Sequence, residues 1–70
     1  MDKPIRFFEK ATMIEADPYL TQDQKDVRLA QLMTTMEQKY KIPMFRDTQW
    51  DKENGSVIRI YREISNMRKN

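Results

Sequence analysis

Apolar residues recur at spacings of three and four in the middle of the chain, which is the period of one face of an α-helix. They are Leu29, Leu32, Met33, Met36 and Tyr40. Thr21 and Gln24 have the spacing of a capping box, in which each side chain accepts a hydrogen bond from the other residue's backbone N–H. No Gly or Pro interrupts the segment until Pro43, so we predict a helix over residues 22–41.

An earlier segment, from about residue 3 to residue 16, shows the same period. Its apolar positions that share one face are Phe7, Phe8, Ala11 and Ile14. Pro4 suits a first helical turn, and Asp2 is a candidate N-cap. The Asp17-Pro18 pair disfavours helical backbone angles, so we predict that this helix ends there.

The last third of the chain admits two interpretations. A helical face over residues 57–67 contains Val57, Ile60, Tyr61, Ile64 and Met67. A strand over residues 57–62, with Asn54-Gly55 as a hairpin turn, is the alternative, but no other segment alternates as a partner strand would. We therefore favour the helix.

Residues 42–55 mix apolar and charged side chains without a clear period. Asp47 is a candidate cap for one or two helical turns that reach Glu53. Asn54-Gly55 would then end this piece in a left-handed conformation, and Ser56 would cap the last helix.

The predicted fold is a single all-α domain over residues 1–70. It has three helices and a short irregular or one-turn helical segment before the last one. The predicted core residues are Leu29, Met33, Met36, Ile60 and Ile64. A chain of 70 residues supports one modest core and no deep cavity.

The composition excludes several classes of catalytic and metal-binding site. The chain has no Cys and no His, which removes thiolate nucleophiles, imidazole bases and structural zinc sites, and one Gly is too few for a phosphate-binding loop. Asp47, Asp51 and Glu53 are the densest acidic group, but nearby cations neutralise them and a cap followed by a solvated turn explains them. We expect no enzyme activity, no metal, no cofactor and no small-molecule substrate.

Charge and hydropathy bear on the location of the protein. The 13 Lys and Arg against 11 Asp and Glu give a net charge of +2, with both signs interspersed. No apolar run approaches the roughly 18 residues needed to cross a bilayer, and the N-terminus lacks the apolar region of a signal peptide. We expect a cytoplasmic protein that does not bind membranes.

A band without charge lies on the central helix, on the side away from its apolar stripe. It contains Gln24, Val27, Ala30, Gln31, Thr34, Thr35 and Gln38, of which Val27, Ala30, Gln31, Thr34 and Gln38 are the predicted partner-binding residues. Lys25, Arg28 and Lys39 flank it on one side, and Asp26 and Glu37 on the other. Either this band is the inner side of a bundle, covered by the other helices, or it binds a second copy or another protein through neutral contacts with a charged rim.

Met44, Phe45 and Trp50 present the same choice between core and interface. For Trp50 we favour a lid on the core, and for Phe45 neither interpretation prevails. Because the apolar surface exceeds what three short helices need, we predict a non-enzymatic protein–protein interaction or regulatory module. The alternative is a small nucleic-acid-binding regulator that uses the basic side of the last helix, formed by Arg59, Arg62 and Lys69.

Overall fold

The structure, a computed structural model, describes residues 3–69. Within that range the chain forms α1 (Pro4–Ala16), α2 (Gln22–Tyr40), α3 (Thr48–Glu53) and α4 (Gly55–Met67), and no strand. The helices α1, α2 and α4 pack against one another, and α3 packs on α4. The all-α prediction is confirmed, and the strand interpretation of residues 57–62 is wrong.

The helices α1 and α2 run antiparallel. At one end of the pair, Lys25 Nζ donates to the backbone oxygen of Glu15 at 2.7 Å. At the other end, the rings of Phe7 and Tyr40 meet edge to face with centroids 5.9 Å apart. The turn between the helices begins at Asp17, the C-cap of α1, as the Asp17-Pro18 pair predicted.

The start of α1 differs from the prediction. Pro4 is its first residue, and the N-cap position is Lys3, which makes no side-chain capping bond. Asp2, the predicted cap, lies outside the described residues. The Arg6 backbone N–H, which a capping side chain would otherwise satisfy, donates to the Lys3 backbone oxygen at 2.9 Å.

Both ends of α2 are closed by local contacts. The predicted capping box is confirmed: Thr21 Oγ1 accepts from the Gln24 backbone at 3.1 Å, and Gln24 Oε1 accepts from the Thr21 backbone at 2.9 Å. At the other end, Lys41 adopts a left-handed conformation with φ 56° and ψ 48°. The Ile42 backbone N–H then donates back to Glu37 at 3.1 Å, and Pro43 prevents further helix.

The predicted left-handed turn at Asn54-Gly55 and the predicted cap at Ser56 are wrong. Asn54 has φ −126° and ψ 43°, Gly55 begins α4, and Ser56 lies inside that helix. The Asn54 backbone N–H and its Nδ2 both donate to the Trp50 backbone oxygen, at 2.9 and 3.0 Å. These bonds close α3 with an ordinary negative φ, so the chain enters α4 directly.

The core lies where α1, α2 and α4 meet. Its buried apolar residues are Ala11, Leu29, Met33, Met36, Val57 and Ile64. Four of the five predicted core residues are among them, whereas Ile60 is only half-buried and packs at the edge. Trp50 is also half-buried against the core, which agrees with the favoured interpretation of it as a lid.

Asp26 is the one buried charged residue in the described part of the chain, with 4% of its surface exposed. The sequence interpretation placed it on the rim of the neutral band, which is wrong. Its Oδ1 accepts from Gln22 Nε2 at 2.9 Å and from the Lys69 backbone N–H at 3.1 Å. Asp26 therefore fastens the segment that follows α4 onto α2, and this segment covers it.

We expect Leu29→Ala to reduce the free energy of unfolding by about 2–5 kcal/mol, because Leu29 is fully buried and its loss leaves a cavity in a small core. Chemical denaturation measures this. Val27→Ala, on the exposed side of the same helix, is the control and should cost far less. A loss below about 1 kcal/mol for Leu29→Ala would contradict the burial of this side chain.

We expect Asp26→Ala to cost about 1–3 kcal/mol, because the Lys69 N–H and the Gln22 amide lose a shared, partly buried acceptor. Amide hydrogen exchange at Lys69 should accelerate. Asp23→Ala, an exposed position three residues earlier, should leave that exchange unchanged. Equal protection of Lys69 in the wild type and in Asp26→Ala would rule out the anchoring role.

Candidate interaction surface

The side of α2 that points away from α1 and α4 is exposed. We name it the α2 outer face and define it by Val27, Gln31, Thr34 and Gln38, all exposed, with Val27 at 58%. Of the predicted band, only Ala30 is half-buried. The interpretation of the band as the inner side of a bundle is therefore wrong for these four positions.

The hydroxyls on this side of α2 bond within the helix. Thr34 Oγ1 donates to the backbone oxygen of Ala30 at 3.1 Å, and Thr35 Oγ1 donates to that of Gln31 at 3.0 Å. Each hydroxyl thus has a partner one turn back, a common arrangement for Thr inside a helix. The two glutamines keep their amides available to donate and accept.

Opposite charges border the α2 outer face on its two sides. On the side toward α4 are Asp23 and Glu37, and the Tyr61 hydroxyl on α4 donates to Glu37 Oε2. On the side toward α1 are Arg28 and Lys39, both exposed. The face is therefore neutral along its middle, acidic along one border and basic along the other.

Val27 forms a ridge between two shallow grooves. One groove is lined by Asp23, Gln24, Val27, Arg28 and Gln31. The other is lined by Asp23, Asp26, Val27, Ala30 and Arg68. A side chain from a partner can therefore contact Val27 from either side.

Phe45 and Trp50, predicted together as partner-binding residues, are in different environments. Phe45 is 81% exposed and its neighbour Met44 is 91% exposed, in the loop between α2 and α3. Asp47 Oδ1 accepts from the Trp50 backbone at 3.1 Å and starts α3, on which Trp50 packs toward the core. Met44 was considered with Phe45 and Trp50 in the sequence but was not among the predicted partner-binding residues, and it is the most exposed of the three.

The acidic residues at the start of α3 and within it each have a local role. Asp47 caps the helix, Asp51 pairs with Arg62 at 3.0 Å, and Glu53 accepts from Gln49 at 2.9 Å. In residues 3–69 no three His, Cys, Asp or Glu side chains are grouped so as to hold a metal ion.

The basic residues of the nucleic-acid alternative are all exposed, but their charges are not equally free. Arg62 Nη2 pairs with Asp51 Oδ2 of α3 at 3.0 Å, and this carboxylate neutralises its charge. Lys69 follows α4, and its backbone N–H is held by Asp26. The use of Arg59, Arg62 and Lys69 for nucleic acid stays a prediction.

Within residues 3–69, Tyr61 is the group whose pKa is most shifted by its surroundings. Burial, the hydrogen bond to Glu37 and the negative charge of Glu37 raise its pKa from 10.0 to about 12, and Arg68 opposes this. At neutral pH the protonated phenol therefore holds the Glu37 carboxylate on the α4 side of the α2 outer face.

Comparison with protein-family models, with curated proteins and with solved structures finds no match for this chain. In the part of the chain that the structure describes, no helix is long and apolar enough to cross a membrane.

We expect Tyr61 to ionise near pH 12 in the folded protein and Glu37→Gln to lower this pKa toward 10. Because the folded pKa is raised, the stabilising contribution is present below about pH 10 and is lost as the pH rises to about 12. Tyrosinate absorbance measures the ionisation, with Tyr61→Phe as the reference that lacks this group. Ionisation of Tyr61 in the ordinary range while the chain is still folded would contradict the contact.

Proposed function

We propose that this protein is a non-enzymatic, cytoplasmic protein-binding module, and that its binding surface is the α2 outer face. One observation carries the proposal. This face is uncharged and uncovered from Val27 to Gln38, although 34% of the chain is charged.

The composition of the face suits contact with a protein. Removing a charged side chain from water costs several kcal/mol unless it finds a partner, whereas a neutral amide or hydroxyl costs less and makes hydrogen bonds readily. Charged residues are accordingly depleted at the centre of interfaces and frequent at the rim. The α2 outer face has this arrangement, with Gln31 and Thr34 at its centre and Asp23 and Arg28 at its borders.

The non-enzymatic part of the proposal is supported by the residue types and their contacts. The chain contains no Cys and no His. The three carboxylates closest together in sequence are occupied as a cap, an ion pair and a hydrogen-bond acceptor. General acid–base chemistry needs such groups free and directed at a substrate.

A photoreactive amino acid placed at Gln31 tests the proposal in the source cell. We expect irradiation to give a discrete cross-linked product, because a partner bound to the α2 outer face lies within reach of this position. The matched control is the same amino acid at Asn66, which is exposed on α4 and outside the surface. Gel mobility and mass spectrometry identify the product.

The cross-link should also depend on the neutrality of the face. Thr34→Glu adds one charge beside Gln31 and should remove the product, whereas Asn66→Glu adds the same charge elsewhere and should not. Circular dichroism confirms that both variants are folded. Equal cross-linking from Gln31 and Asn66 would overturn the proposal.

A further inference from the structure

The residues of the α2 outer face, together with Gln24 one turn before Val27 on the same side of the helix, repeat every seven positions. Gln24, Gln31 and Gln38 are seven residues apart, and so are Val27 and Thr34 between them. The alternating spacing of three and four is that of the a and d positions, through which two α-helices pack along their length. All five side chains are exposed, so a second helix can reach them.

The borders of the face carry charges at the positions that pair between such helices. Asp23 precedes the a position at Gln24 and is a g residue, and Arg28 follows the d position at Val27 and is an e residue. When two copies of a helix pack in parallel, a g residue of one lies beside the e residue five positions later in the other. Asp23 of each copy would therefore meet Arg28 of the other.

Both charges are available for this contact. Neither Asp23 nor Arg28 has an ion-pair or hydrogen-bond partner for its side chain within residues 3–69, and both are exposed. At a separation of five residues they lie on opposite borders of the helix, so they do not pair within one chain.

The opposite orientation is electrostatically unfavourable. In an antiparallel pair the a positions of one helix face the d positions of the other, as when Val27 faces Gln31 of the second copy. In that register the g residues face each other, and Asp23 of one copy would approach Glu37 of the second copy. Both are acidic, and the arrangement would repeat at each end of the contact. Parallel packing replaces these two repulsions with two attractions.

The glutamines add self-complementarity. In the parallel arrangement Gln31 faces Gln31 and Gln38 faces Gln38 across a two-fold axis. An amide carries both a donor and an acceptor, so two identical amides can satisfy each other. A partner with apolar side chains at these positions would leave the amides unpaired, which costs about 1–3 kcal/mol for each buried group.

We infer that the occupant of the α2 outer face is a second copy of this chain, packed in parallel and in register through α2. The inference rests on the proposed function and names its partner. The contact from Gln24 to Gln38 is about 20 Å long. Because Val27 is its one aliphatic residue, the dimer is weak and forms at high protein concentration.

A single thiol tests the register, since the chain has no Cys. In a parallel dimer the two copies of Val27→Cys face each other within disulfide distance, so a glutathione redox buffer should convert this variant to a disulfide-linked dimer. Asn66→Cys is the control and should give at least tenfold less dimer. If Val27→Cys links only when mixed with Gln31→Cys or Gln38→Cys, the packing is antiparallel and the inference is wrong.

Charge exchange tests the border pairs without a disulfide. Arg28→Glu should weaken the association constant from sedimentation equilibrium by roughly tenfold, because two attractions become two repulsions. Asp23→Lys added to Arg28→Glu should restore it. Weakening that the second change does not reverse would overturn the pairing of Asp23 with Arg28.

The two proposals fail in distinguishable ways. A monomer at every concentration, together with a cross-link from Gln31 to a different protein, overturns the self-association and leaves the proposed function in place. A cross-linked product of twice the 8.5 kDa mass of the chain supports both. The absence of any product from Gln31 and of any dimer refutes both.

Discussion

The fold depends on one stripe of α2 that contacts α1 and α4 at the same time. Leu29 and Met36 on this stripe are fully buried, and with Ile64 they are the largest side chains that water does not reach in the described chain. Within residues 3–69 no further helix covers the other side of α2. The packing that closes the core therefore also leaves the α2 outer face in solvent.

Polar contacts at the edges of this stripe fix how the neighbouring helices sit. Lys25 holds the end of α1, Asp26 holds the segment after α4, and Glu37 accepts from the hydroxyl of Tyr61 on α4. The acidic contacts are all on the α4 side and the basic one is on the α1 side. The border charges Asp23 and Arg28 take no part in these contacts, so a change at either position leaves the contacts that hold the bundle in place.

The sequence was informative where a few neighbouring residues decide the structure. Helical period and capping rules predicted α1, α2 and α4, the capping box at Thr21, and Asp47 as the start of α3. These rules failed where residues distant in sequence, or competing local hydrogen bonds, determine the structure. Asp26 is buried because the chain returns to it at Lys69, 43 positions later, and no local pattern carries that information. Asn54 closes α3 through two hydrogen bonds to the Trp50 backbone oxygen. The preference of Asn-Gly for left-handed turns takes no account of such bonds.

The neutral face was visible in the sequence, but its exposure was not, because a covered helix and an interface have similar compositions. The exposure of the α2 outer face leaves it accessible to a partner. The buried core consists of residues of one chain, so the proposed self-association is a step separate from the packing of the core. Binding through glutamines and one valine gains little from apolar burial and depends on hydrogen bonds and border charges. We therefore expect the proposed dimer to respond to protein concentration and to competing partners.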